Sequence, residues 1–317
     1  MTSPLEGQAD RHVEIAAAKI NLGLKILGRR DDGYHDICSI AQTIDLADRL
    51  DISAGRQMPG GVRSTNRERV TLACSDPALS IGPDNLVWRA VGLFEAQLRQ
   101  PLRPLSLYLD KQIPLGAGLG GGSADAAAAL RGLNIIYGQP LAVEMLVSLA
   151  SQLGSDVPFQ LAGGTAVMRG RGELLQPLAF AADVCYVLIY PGIHVSSSWA
   201  YDQVAAARGQ SGATLTAGGD YLNLVASLRG GCVDHESLFR CLDNDFWPLV
   251  ERTYPIVATL GSCLDAAGAI ARSMSGSGST IYGVFDDRTA ASEACKGLRA
   301  RGYRSFLCRP ENVAGAD

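Results

Sequence analysis

Between residues 19 and 26 apolar and polar positions alternate without a break: Ile20, Leu22, Leu24 and Ile26 fall on one side, Lys19, Asn21, Gly23 and Lys25 on the other. Successive side chains of a strand point to opposite faces, so this pattern predicts a half-buried β-strand. Residues 28–33 carry turn chemistry, and the apolar stretch 37–52 predicts returning strands, which makes the N-terminal region β-rich. The polar, arginine-rich run 53–69 predicts an exposed loop. From Leu86 the period changes: Leu86, Val87, Ala90, Val91, Phe94 and Leu98 recur at helical spacing behind the capping residues Asp84 and Asn85. A strand over 105–109, a glycine-dense loop and an alanine-rich helix over 123–137 come next. A further helix over 141–153 ends at Gly154, and 163–172 predicts a strand and hairpin. The second half is mixed: a buried strand at 184–190, helices near 221–228 and 247–267, a strand at 281–285, and a last helix and strand within 290–307. Residues 209–219 read as a flexible insertion, and no internal repeat is present.

Bulk properties narrow the function. A chain of 317 residues with 47% hydrophobic content is ample for two ordinary domains. Its formal net charge of -4 provides no basic field for a nucleic-acid backbone, so nucleic acid is not an expected partner. No window approaches the roughly 18 apolar residues of a membrane span. Residues 1–10 lack the charged start and apolar core of a secretory signal, so a frayed tail and a cytoplasmic protein are expected. The eight cysteines are scattered, with no C-x-x-C pair, which argues against a zinc site or a disulfide framework.

The strongest local signal for chemistry is the run Pro114, Leu115, Gly116, Ala117, Gly118, Leu119, Gly120, Gly121, Gly122, Ser123, Ala124. Glycines directly before a helix let backbone amides turn toward an anion at the positive helix end, and Ser123 adds a hydroxyl for a phosphate or its cation. A tight turn with no ligand would carry the entropy cost of these glycines without return. Gly116, Gly118 and Gly121 also satisfy G-x-G-x-x-G. A dinucleotide fold is disfavoured because Pro114 separates strand from glycines and the acid some 20 residues on, Glu144, falls within a helical stretch. No Lys-Ser/Thr pair follows the glycines, so the loop is not of the Walker type either.

Weaker signals accompany it. Lys19 and Asn21 share one strand face and can orient a hydroxyl or carboxylate, although a solvated edge lysine reads equally well from this segment alone. Tyr34 and His35 follow the turn and could stack on a planar base, or simply pack. Asp156 sits in a short turn after Gly154 and Ser155, where capping is the commoner role. Residues 273–279 form a second small-residue loop able to approach a ligand or the first loop.

Taken together and in this order, these motifs resemble the GHMP kinase superfamily, over residues 13–307. The run Ala17-Ala-Lys-Ile-Asn-Leu-Gly-Leu24 continued by Gly33-Tyr-His35 is similar to a branch of the non-mevalonate isoprenoid pathway that acts on a cytidine diphosphate substrate. The resemblance implies an α+β protein, a two-domain GHMP kinase-like α/β sandwich with its active site in the interdomain cleft. The implied parts are a tail at 1–12, an ATP-binding N-terminal domain at 13–175, a C-terminal domain at 176–310 and a tail at 311–317. It implies ATP phosphates on the 114–124 loop with Mg²⁺ bridging them and Ser123 as a metal contact. By the same resemblance Lys19 and Asp156 are the catalytic pair, and Asn21, Tyr34 and His35 line the substrate site. Ser197, flanked by Ser196 and Ser198, falls where the family often has a threonine near the substrate. Another GHMP acceptor, such as homoserine or a mevalonate derivative, and a catalytically silent ligand sensor are the competing readings.

Overall fold

The computed structural model describes residues 10–55, 65–67, 69–99, 101–211, 225 and 232–312. In chain order the first elements are β1 (Asp10–Arg29), β2 (His35–Ala54), β3 (Thr65–Arg67), β4 (Val70–Cys74), α1 (Leu86–Leu98) and β5 (Leu105–Asp110). Next come α2 (Gly121–Ile136), α3 (Val143–Leu153), α4 (Val157–Ala162), β6 (Thr165–Gly170), β7 (Leu174–Phe180) and β8 (Cys185–Tyr190). The remainder is α5 (Ser197–Ser211), β9 (Cys232–Val233), α6 (His235–Cys241), α7 (Trp247–Thr253), α8 (Pro255–Ala266), β10 (Ala271–Met274), β11 (Ile281–Phe285), α9 (Arg288–Ala300) and β12 (Arg304–Cys308).

These elements form two compact α+β units, each assembled from separated stretches: 1–17, 47–113 and 121–161 in the first, 18–46, 114–120 and 162–317 in the second. In the first unit the C-terminal part of β2 pairs antiparallel with β5, from Arg49 opposite Asp110 to Ala54 opposite Leu105. Strand β4 runs parallel to β5 and antiparallel to β3. Helix α1 forms because its apolar residues recur every three to four positions and Asn85 caps it, its side-chain oxygen accepting from the Val87 amide at 2.8 Å. Helix α2 buries Ala124 and Ala126 to Ala129 with Leu130 and Leu133 in the core shared with α1 and α3, where small side chains permit close helix packing.

In the second unit the N-terminal part of β2 pairs antiparallel with β6, which forms a hairpin with β7. A separate four-stranded antiparallel sheet runs β10-β11-β8-β12. Its core gathers Val187, Ile189, Met274, Ile281 and Phe285 with Leu24 and Ile26 of β1 and apolar residues of α5, α7, α8 and α9.

Several expectations change. The strand at 19–26 is not half-buried: Lys19 is 4% exposed, Asn21 2% and Lys25 9%. The side chains on its polar face are engaged, Asn21 Nδ2 donating to Ser39 Oγ at 2.7 Å and Lys25 pairing with Asp243 and Asp245 at 2.5 and 3.0 Å. The apolar stretch 37–52 is one long strand rather than several, and the polar run 53–69 contains the short strand β3. The helix expected over 247–267 is broken into α7 and α8 at Tyr254, because Pro255 disfavours helical geometry in the residue before it. The serine-led helix α5 was not foreseen, since its sequence carries little amphipathic pattern. Residues 1–9 and 212–219 and nearly all of 221–228, where a tail, an insertion and a helix are expected, lie outside the described residues. Among the described residues no helix is long and apolar enough to cross a membrane.

Candidate active site

Residues two apart on a strand share a face, and on β1 this places Lys19 beside Asn21. Lys19 Nζ donates to Asn21 Oδ1 at 2.6 Å, Asn21 Nδ2 donates to Ser39 Oγ at 2.7 Å, and Ser39 Oγ donates to Gly23 O at 2.6 Å. A buried ammonium is costly unless it is hydrogen-bonded, and this relay fixes its position. The solvated edge lysine is therefore not what the fold contains.

The glycine loop shows why its sequence is so poor in side chains. Gly116, Gly118 and Gly120 adopt φ of +62°, +78° and +71°, a region that residues with a Cβ enter only at a cost. Four of the loop's carbonyls are engaged within the second unit. Leu115 O accepts from Tyr190 Oη at 3.2 Å, Ala117 O from the Thr280 amide at 3.2 Å, Gly118 O from Ser275 Oγ at 2.8 Å, and Leu119 O from the Lys19 amide at 3.0 Å. In a trans peptide the N–H points opposite to the C=O of the preceding residue. The amides of Gly116, Gly118 and Leu119 therefore each point away from the partner that anchors their own peptide plane, on the side where backbone N–H groups can meet an anion. The loop then runs directly into α2, whose first turn carries Gly122 exposed and Ser123 half-buried.

The second small-residue loop, 273–279, packs on the first. A Cβ added at Gly118 would lie 2.3 Å from Ser275 O and 2.8 Å from Gly278 O. Asn244 Nδ2 holds this loop from behind, donating to Met274 O at 2.7 Å and Gly276 O at 2.9 Å. The segment after β8 completes the group. Ser197 Oγ lies 2.9 Å from Ser277 Oγ, whereas Ser196 and Ser198 bond to each other, and Ser279 Oγ donates to Ile193 O. The His194 ring stands against Gly116, its Nδ1 1.9 Å from where a Cβ would sit.

Tyr34 and His35 also belong to the second unit. Tyr34 is 53% exposed, while the His35 ring stacks on Tyr201 with centroids 4.9 Å apart and planes 15° from parallel. Lys19, Asn21, Tyr34, His35, Ser197 and residues 114–120 of the loop thus all belong to the second unit. Asp156 and Ser123 belong to the first unit. Asp156 is half-buried in the turn before α4, and its carbonyl accepts the Gln160 amide at 3.0 Å, so its backbone begins that helix as a capping residue does.

Sequence reasoning missed a buried charge cluster in the first unit. Lys111 Nζ donates to Asp48 and, at 2.7 Å, to Asp125 Oδ2, with all three side chains no more than 3% exposed. Asp48 Oδ1 also accepts the amides of Gln112 and Ile113 at 2.5 and 2.8 Å, just before Pro114. The cluster joins the residues leading into the glycine loop to the first turns of α2. The available signal was slight: Asp48 is one of four aspartates in β2, and Lys111 follows directly on the end of β5. Burial pulls Lys111 down, but Asp125 and Asp48 outweigh it and its value is raised. Burial pushes the Asp125 carboxyl up to about 7, with Lys111 opposing and Asp48 adding to the rise.

That shift fixes the sign of a pH effect. The unfolded chain releases this proton near 3.8, so between about pH 4 and pH 7 the folded protein holds a proton that the unfolded chain has lost. This component of stability therefore declines as pH rises through that window. In Asp125→Asn it is absent, so the Tm of the variant relative to the parent should climb between about pH 5 and pH 8. A Tm difference independent of pH would show that the carboxyl stays ionised throughout.

Comparison with known proteins gives a consistent result. Residues 85–164 match the family described as GHMP kinases N terminal domain, and residues 231–304 match GHMP kinases C terminal. A 4-diphosphocytidyl-2-C-methyl-D-erythritol kinase of Synechococcus sp. (strain JA-3-3Ab) is 40% identical over 283 residues, covering 88% of this chain and 87% of the relative. The enzyme of the same description from Solibacter usitatus (strain Ellin6076) is 41% identical over 285 residues, covering 90% and 84%. A crystal structure of 4-(cytidine 5'-diphospho)-2C-methyl-D-erythritol kinase superposes with a TM-score of 0.68 at 32% identity, covering 95% of this chain and 100% of that one. Homoserine kinase from Cytophaga hutchinsonii superposes with a TM-score of 0.67 but at 20% identity, a likeness of fold alone.

Proposed function

Because this chain belongs to the 4-diphosphocytidyl-2-C-methyl-D-erythritol kinases of the GHMP kinase family, we propose how its own residues divide the work of phosphoryl transfer. The chain is an ATP-dependent phosphotransferase with an alcohol as acceptor, acting on 4-diphosphocytidyl-2-C-methyl-D-erythritol in the non-mevalonate route to isoprenoid precursors. The acceptor atom in our reading is the oxygen of the 2-hydroxyl.

The observation that carries the reading is the set of peptide planes in the glycine loop, carbonyls anchored and amides turned the opposite way. Residues 114–124 bind the triphosphate through these amides and the positive end of α2, which offset the charge that gathers on the transferring group. Lys19, fixed by Asn21, supplies a positive charge to the same group, and Asp156 orients the acceptor hydroxyl and takes its proton late in the transfer. Asn21, Tyr34, His35 and Ser197 hold the acceptor, with the stacked His35 and Tyr201 rings on the side of its base.

Among the described residues no group of three or more His, Cys, Asp or Glu could hold a metal ion. Mg²⁺ keeps several waters and draws most of its ligands from the substrate's phosphates, and the Ser123 hydroxyl in the first turn of α2 would be its protein contact, as a loop Ser/Thr hydroxyl can be. When bound, the ion supplies charge neutralisation along the triphosphate.

A coupled ATP-turnover assay tests the whole reading. With the cytidyl acceptor the chain should show saturable turnover in the range of roughly 1–100 s⁻¹ usual for kinases, and none with homoserine or mevalonate. Turnover with either small acceptor in place of the cytidyl compound would overturn the acceptor assignment, and ATP binding without turnover on any of them would leave a ligand sensor.

A further inference from the structure

The turn between β6 and β7 carries a cation that the machinery above does not use. Arg171 stands between Gly170 at φ +67° and Gly172 at φ +120°, and its backbone amide donates to Glu173 Oε2 at 2.7 Å. Gly170 takes a φ that residues with a Cβ enter only at a cost, so the shape of this turn depends on that glycine. The Arg171 guanidinium is laid over the ring of Tyr34, with Cζ 4.8 Å from the ring centroid. Its ion pair among the described residues is with Glu173 at 3.9 Å, and the side chain keeps 31% of its surface exposed.

Tyr34 is held as firmly. Its amide donates to Asp32 Oδ1 at 3.1 Å and its carbonyl accepts from the Arg30 amide at 2.8 Å, so the ring is displayed by a tied turn. The neighbouring cation Arg30 is already engaged by Asp32 and Asp36, at 3.2 and 2.8 Å. Arg171 thus lies over an exposed aromatic face with Glu173 beside it and Asp32 close enough for the guanidinium charge to help hold that carboxyl down, one residue along the chain from the His35 stack. Stacked in this way, a guanidinium offers its N–H donors in the plane of the group, the geometry suited to two phosphate oxygens.

We propose that Arg171 is a specificity-determining residue that reads the diphosphate of the acceptor while Tyr34 and His35 hold its base. The inference rests on the assignment of Tyr34 and His35 to the substrate site. It assigns to this position a preference for nucleoside diphosphate acceptors over nucleosides and small alcohols.

The test uses the full chain and competition against the cytidyl acceptor by CDP and by cytidine. The parent should favour CDP over cytidine by about 10- to 100-fold, the value of hydrogen bonds from a charged donor. In Arg171→Met this preference should fall to within about threefold, with the KM for ATP unchanged, and Arg171→Lys should recover part of it because charge returns without the planar fork. An unchanged preference for CDP in Arg171→Met overturns the proposal, as does a rise in the KM for ATP equal to that for the acceptor. If Arg171→Met does not fold, the comparison of parent with Arg171→Lys decides in the same way. Tyr34→Ala separates the two levels. An unaltered acceptor KM in that variant overturns the substrate-site reading itself, whereas a raised KM there with an unaltered Arg171→Met overturns only the role of Arg171.

Discussion

Asp156→Asn should lower kcat by roughly 10²- to 10⁴-fold, the range for removal of a positioned acid-base group, with the KM values of both substrates within a few-fold of the parent. A carboxylate is a far weaker base than an alkoxide, so no carboxylate can strip the acceptor hydroxyl in advance. A loose phosphoryl-transfer transition state asks little prior deprotonation of its nucleophile, which leaves orientation and late proton acceptance as the useful work. Asparagine keeps the shape and loses the acceptance. The fold should survive, because what begins α4 is the Asp156 carbonyl, bonded to the Gln160 amide at 3.0 Å, and the substitution leaves the backbone as it is. Unchanged melting together with near-parental kcat would remove Asp156 from the reaction.

Gly118→Ala should have the largest combined effect on stability and nucleotide binding. The added methyl would sit 2.3 Å from Ser275 O and 2.8 Å from Gly278 O, both backbone atoms, at a φ of +78°. Left-handed strain costs on the order of 1–2 kcal/mol and the forced backbone shift about 1–3 more, so a Tm lower by roughly 5–15 °C is expected. The shift must also disturb Gly118 O, which accepts from Ser275 Oγ at 2.8 Å, and with it the direction of the following amide. ATP affinity should therefore fall by more than about tenfold in the fraction that remains folded. Gly122→Ala is the control. A Cβ there meets nothing closer than Leu86 Cδ1 at 3.7 Å, at a position inside the first turn of α2. It should leave Tm unchanged, and a loss of ATP affinity in that variant would mark where the nucleotide approaches the chain. If Gly118→Ala binds ATP as the parent does, the glycine loop is not the phosphate site.

Much of this was legible in the residues. Periodicity placed α1 at its observed bounds because Asn85 and the apolar spacing agree, and the alternation at 19–26 placed Lys19 and Asn21 on one face. What alternation could not tell is what covers a face. The partners of this segment come from far along the chain: Ser39 takes the Asn21 side chain, and Leu119 and Tyr282 bond the backbone of Lys19 and Asn21, Tyr282 lying 261 residues from Asn21 in sequence. The same limit hid Asp48, Lys111 and Asp125, which are unremarkable one at a time and acquire meaning only when strand register and helix packing bring them within hydrogen-bonding distance. Tyr201 and His194 escaped notice for a related reason: α5 and the segment before it lack a periodic pattern, so nothing local pointed to the ring stack or to the contact with Gly116. The break at Tyr254 is legible in Pro255, which disfavours helical geometry in the residue before it.

The interleaving of the two units bears on how the chain is made. Residues 18–46 leave the ribosome early, yet they pack with residues 162–317, which are translated last. At about 5–20 residues per second the nascent apolar side of β1, with Leu24 and Ile26, waits on the order of ten seconds for the companions that cover it. The residues of the first unit are all synthesised by position 161, so that unit can condense while the second is still being translated. Ribosome-bound helpers that shield greasy segments would act on this interval.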